Sequence, residues 1–124
     1  MKKIFVFGNP DLEIDSLPLR ILSKLKEEFP EINFEVKDPN EEWDVPEELT
    51  VIDTAVGIDD VKIFDDLAMF QSAPRVSMHD FDALTNLRLL QKLGQIKKVR
   101  IIGVPPDMNQ QKALEEISKF LIIQ

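Results

Sequence analysis

The chain has 124 residues, 44% hydrophobic and 31% charged, which is enough to enclose one hydrophobic core without covalent staples. It contains no cysteine, so a disulfide scaffold, a thiolate metal site and a thiol nucleophile are all excluded. Its formal net charge of −8 at pH 7 argues against a nucleic-acid partner, whose phosphates require clustered lysine and arginine.

Lys2 and Lys3 precede a short apolar run that stops at Gly8-Asn9-Pro10. That run is too short for a secretory signal, and Lys3 to Phe7 reads as a first strand buried on both faces. Ser16 is placed to cap a helix with Pro18 in its first turn. Leu19, Ile21, Leu22, Leu25 and Phe29 recur at helical spacing before Pro30 stops the helix. Ile32, Phe34 and Val36 alternate with Asn33, Glu35 and Lys37, the pattern of a strand exposed on one face. Asp38-Pro39-Asn40 is a turn signal, and an acidic loop carrying Trp43 follows.

Leu49 to Ala55 is a further apolar, β-rich run with Asp53 near its end, broken by Gly57. Val61 to Phe64 forms a short strand, followed by a solvated loop with Asp65 and Asp66. Arg75 to Met78 leads into His79. Phe81, Leu84, Leu87, Leu89 and Leu90 make a helix face that ends near Leu93, with Gly94 as its C-terminal cap. Val99 to Val104 is the last strand, closed by Pro105-Pro106. Asn109 to Ile122 is the last helix, with Leu114, Ile117, Phe120 and Leu121 inward.

Strands alternating with helices predict a single α/β domain over residues 1–124, a three-layer α/β/α sandwich with a mostly parallel central sheet. No stretch approaches the roughly 20 apolar residues that span a bilayer. The reading is therefore a cytoplasmic protein with no membrane insertion.

In such sheets ligands bind beyond the carboxyl ends of the strands. That rule gathers Asp11, Glu13 and Asp15 after the first strand, Asp38 after the second, Asp53 at the end of the third, and His79, Asp80 and Asp82 before the following helix. His79 is the one histidine in the chain. One imidazole with two carboxylates suits a divalent transition ion such as nickel or zinc and leaves positions open for a ligand from a partner. Plainer roles stand beside these: Asp15 as a helix cap, Asp53 as a strand end, Asp80 satisfying backbone groups at a helix start, and Trp43 as either core or contact surface. No dinucleotide-binding glycine pattern, phosphate-binding loop, nucleophile elbow or zinc-protease motif is present.

In order along the chain, Gly8-Asn9, then Asp15 and Arg20-Ile21, then Asp53 in Val51-Ile52-Asp53-Thr54-Ala55, then Ser77-Met78-His79-Asp80, then Gly103-Val104-Pro105-Pro106 resemble the pattern of the nickel–iron hydrogenase maturation endopeptidases. The resemblance runs nearly end to end. It implies a peptide hydrolase that clips the C-terminal extension from the precursor of a hydrogenase large subunit after nickel has been inserted. It also implies that Asp15, Asp53 and His79 contact nickel presented by that substrate, with no organic cofactor. For Asp38 it implies a part in placing the cleaved segment or in acting as a base. Two alternatives remain open at this point. One is a non-catalytic relative that binds nickel or the precursor; the other is a receiver-like signalling domain with a phosphoryl acceptor at Asp53.

Overall fold

The computed structural model describes residues 2–38, 43–65 and 78–122, with residues 14 and 78–84 described by backbone alone. The strands are β1 (Lys2–Val6), β2 (Ile32–Val36), β3 (Glu48–Thr54), β4 (Lys62–Phe64) and β5 (Lys98–Val104). The helices are α1 (Leu17–Arg20), α2 (Leu22–Glu28), α3 (Met78–Lys92) and α4 (Gln110–Ile122). A 3-10 turn at Glu13–Asp15 lies between β1 and α1. The five strands form one sheet in the order β2-β1-β3-β5-β4, parallel except for β4, which runs against β5.

The expected architecture is therefore present, and its cause is visible in the strand alternation. Ile4 and Val6 of β1 join Ile52, Ile102 and Val104 in one cluster, which Leu17, Ile21, Leu25, Ala113, Ile117 and Leu121 cover from α1, α2 and α4. Phe5 and Phe7 join Leu49, Val51, Ala55, Phe64 and Ile101 on the other face, where Leu87 of α3 packs. Phe5, Phe7, Ile4, Ile52 and Ile101 are all essentially inaccessible. Burying each such side chain is worth about 1.5–3 kcal/mol, so the two faces together hold the sheet between its helix layers.

Several local expectations are corrected. The helix expected from Ser16 to Phe29 is divided at Ile21 into α1 and α2, although Leu17, Ile21 and Leu25 keep an i, i+4 buried stripe through the break. Ser16 does not cap it: its Oγ donates to Glu13 C=O at 2.9 Å and accepts from Arg20 Nε at 3.1 Å. Helix α3 begins at Met78, so His79 and Asp80 lie inside its first turn rather than before it. Leu89 and Leu93 point to solvent at 52% and 62% exposure, leaving Leu87 and Leu90 as the inward side among the described side chains. Phe81 and Leu84 have their side chains outside the described residues. Leu114 and Phe120 of α4 are only partly buried, their inward places taken by Ala113 and Ser118. Trp43 is partly buried and packs against the core: its ring stacks on Phe7 at 5.4 Å and meets Phe5 edge-on at 5.9 Å.

Gly94 does close α3. With φ at +78°, its N–H bonds Gln91 C=O at 3.1 Å and the Gln95 N–H reaches Leu90 C=O at 3.0 Å, the paired bonds of a Schellman stop. No helix among the described residues is long and apolar enough to cross a membrane.

Candidate functional site

The chain leaves β1 toward β2 on one side and returns as β3 on the other, so the switch in strand direction falls between β1 and β3. This is where open α/β sheets present their ligand crevice. Both Asp15 and Asp53 arrive there.

Asp15 is brought back by a tightly bonded loop. The Asn9 side chain accepts from Asp11 N–H at 3.0 Å, an Asx turn, and Asn9 C=O accepts from Leu12 N–H at 3.2 Å. Asp15 N–H then bonds Leu12 C=O at 3.0 Å, and Asp15 C=O accepts from Asn9 N–H at 2.8 Å. The return path presses against Gly8. A Cβ on Gly8 would stand 3.0 Å from Asp15 C=O and 3.0 Å from Leu19 Cγ, tighter than ordinary contact, so this approach favours glycine. The Gly8-Asn9 pair thus has a physical role: the glycine admits the returning backbone and the asparagine organises the turn.

Asp53 sits in the middle of the sheet. It pairs with Gly103 of β5, and β1 lies on its other side. Its Oδ1 accepts from Thr54 N–H at 2.8 Å. By strand alternation it shares a face with Leu49, Val51 and Ala55, the face that α3 covers. Helix α3 ends at the amino edge of the sheet, where Lys97 N–H bonds Glu47 C=O at 2.7 Å, just before β3. Its 15 residues rise about 22 Å, close to the length of β5, which sets its first turn toward the carboxyl edge and on the same side as Asp53. His79 belongs to that turn, but its side chain lies outside the described residues, as do those of Asp80 and Asp82.

Asp15 and Asp53 are both 0% exposed. A carboxylate taken out of water costs several kcal/mol unless hydrogen bonds, a counter-charge or a metal compensates it. Two such groups lie at one switch point, in a sheet whose buried side chains are otherwise mostly hydrocarbon. Among the described residues no three His, Asp or Glu side chains cluster closely enough to hold a metal, and the third expected donor is the undescribed imidazole.

The remaining acids are dispersed. Asp11 is exposed on the first loop. Asp38 is half-buried beyond β2, with its C=O accepting from Trp43 Nε1 at 3.0 Å. Pro39, Asn40, Asp66, Arg75 and Ser77 lie outside the described residues. Asp65 pairs with Arg100 at 3.2 Å; because β4 runs antiparallel, it lies away from the carboxyl edge, on an exposed surface.

A groove of about 1050 Å³ runs along the carboxyl edge. Glu13 and Arg20 border it from the first loop, Ile58 and Asp59 from the segment after β3, and Met108 and Lys112 from the segment leading into α4. Neither Asp15, Asp53 nor Asp38 is among its described lining residues. Sequence reasoning had Gly57 as a breaker and Pro105-Pro106 as a strand end and part of the family-like pattern, and drew no groove wall from either. The carboxyl-edge rule places both segments on that edge, since each follows a strand that ends there, but it gives no sign that they form a groove.

The antiparallel β4 also separates this fold from the all-parallel 2-1-3-4-5 sheet of receiver domains, which removes the structural support for that alternative.

The architecture is that of the hydrogenase-maturing endopeptidases. Among solved structures the chain is similar to the hydrogenase maturating endopeptidase HybD from E. coli, with a TM-score of 0.67 over 99% of this chain and 93% of that one, at 16% sequence identity. At that identity the likeness is one of fold. No protein-family model and no curated protein sequence matches the chain.

Proposed function

We propose that the protein is a cytoplasmic peptide hydrolase that removes the C-terminal extension from the precursor of a nickel–iron hydrogenase large subunit after nickel insertion. The observation that carries this reading is the placement of two fully buried carboxylates, Asp15 and Asp53, on either side of the switch point of a sheet with this fold. With the His79 imidazole they make a donor set suited to nickel presented by the substrate. A divalent ion held there would polarise a carbonyl or lower the pKa of a water beside the bond to be cut. The chain's own part is to fix the donors. Gly8 and Asn9 hold the Asp15 loop, and the Thr54 N–H orients the Asp53 carboxylate. Asp38, at the end of the edge strand, would help place the segment to be removed.

Mixing the protein with nickel-loaded precursor and following the precursor by mass tests this directly. Loss of a discrete C-terminal peptide is expected, and Asp15→Ala or His79→Ala should abolish it. A stable complex with unchanged precursor mass would instead identify a binding-only relative.

A further inference from the structure

We propose that Arg20 grips a carboxylate of the peptide lying in the carboxyl-edge groove, so that the site takes a peptide acid in preference to its amide. The inference deepens the peptide-hydrolase reading and rests on it in taking the occupant to be a peptide.

Arg20 is exposed at the groove yet anchored on its inner side. Its Nε donates to Ser16 Oγ at 3.1 Å, and its backbone N–H to Ser16 C=O at 3.0 Å. Ser16 is itself only 7% exposed, and its hydroxyl proton is committed to Glu13 C=O at 2.9 Å. The hydroxyl is therefore oriented as an acceptor, and the guanidinium of this groove-lining residue is held at its root through Nε. The groove's other cation, Lys112, is occupied by Asp60 at 3.3 Å and Glu116 at 3.8 Å. Arg20 makes no ion pair among the described residues, in a chain with 23 acids and 15 bases.

A guanidinium with Nε engaged still offers two parallel Nη donors end-on, which match the two oxygens of a carboxylate. Because the anchor is already in place, little side-chain entropy remains to be lost on binding. The flanking acids narrow the class further. Glu13 and Asp59 line the same groove, so a second negative charge on the peptide would be repelled. Ile58 and Met108 offer apolar surface for its side chains. The occupant is thus a neutral or basic peptide with a single carboxylate at the Arg20 end, either at its chain terminus or on one acidic side chain.

Three probes separate these sources: N-acetyl-tetraalanine as the free acid, the same peptide as its amide, and the amide with aspartate at its third position. Each is titrated into the full-length protein while the Arg20 Nε–Hε resonance is followed by NMR. The free acid or the aspartyl peptide should shift that resonance, and the amide should not. R20Q should weaken binding of the preferred acid about tenfold, R20K should recover only part of the loss, and S16A should weaken it less than R20Q. Equal binding of acid and amide, unchanged binding by R20Q, or no binding by any probe overturns the proposal. The outcome is separate from the processing assay: failure to shorten the precursor would remove the hydrolase reading while leaving the acid–amide comparison intact.

Discussion

Gly8 and Gly103 determine how closely neighbouring parts of the chain approach the two buried carboxylates. Gly103 stands beside Asp53, and a Cβ there would lie 2.8 Å from Phe64 Cε2 and 3.0 Å from Ala55 Cβ. Phe64 is buried at 5% exposure, so Gly103→Ala, which must displace its ring, should destabilise the fold by about 1–3 kcal/mol. Gly8→Ala presses instead on the Asp15 carbonyl and Leu19. The Asp15 loop can give by a few tenths of an ångström, so the stability loss should be smaller, about 1 kcal/mol, while processing falls by more than that loss explains. Urea denaturation beside the processing assay separates the two effects. Equal stability losses, or normal processing by Gly8→Ala, would contradict the role assigned to Gly8.

Helix starts show how residues of capping type take different roles. The Asn109 side chain accepts from Gln111 N–H at 2.8 Å and Lys112 N–H at 3.2 Å, satisfying two of the unpaired donors at the start of α4. Asn109→Ala should cost about 1 kcal/mol, and Asn109→Asp should retain most of that stability, as thermal unfolding would show. The reading of Asn109 to Ile122 as a helix holds to within one residue, although Leu114 and Phe120 are only partly buried. Ser16 also precedes an apolar helical run, yet it serves Arg20 and Glu13, and the helix behind it breaks at Ile21; nothing in the local pattern separates its outcome from that of Asn109. In α3 the leucines were too many to rank. Leu87 and Leu90 face the sheet and Leu89 and Leu93 face water, an assignment set by where the helix lies rather than by residue type.

Acidification of the whole molecule offers a further test. Glu35 on β2 lies between Lys37 at 3.2 Å and Lys3 of β1 at 3.5 Å. Burial pushes its carboxyl up, but the Lys37 hydrogen bond and the charges of Lys3 and Lys37 together outweigh that and hold it below its usual 4.5. A depressed carboxyl contributes stability that is present above the unfolded-state value and lost as pH falls through the folded one. Stability should therefore decline as pH drops below 4.5, and Glu35→Gln should decline less steeply over that window. The effect should be small, as for other solvent-screened pairs. Parallel declines in the two proteins would show that the pair contributes nothing. Much of the sheet and its ordered acids could be read directly, because strand ends and Asp15 and Asp53 follow a topological rule. The groove could not, because three loops without a shared motif build it, and Arg20 acquires its setting only when Ser16 and Glu13 fold beneath it.

The indole of Trp43 stacks on Phe7 and donates to the Asp38 carbonyl, tying the segment after β2 to the end of β1. The chain has this one tryptophan and no tyrosine. Its near-ultraviolet emission therefore comes from a single ring at the carboxyl edge, and the unlabelled protein carries its own optical probe for anything that loosens or tightens that edge.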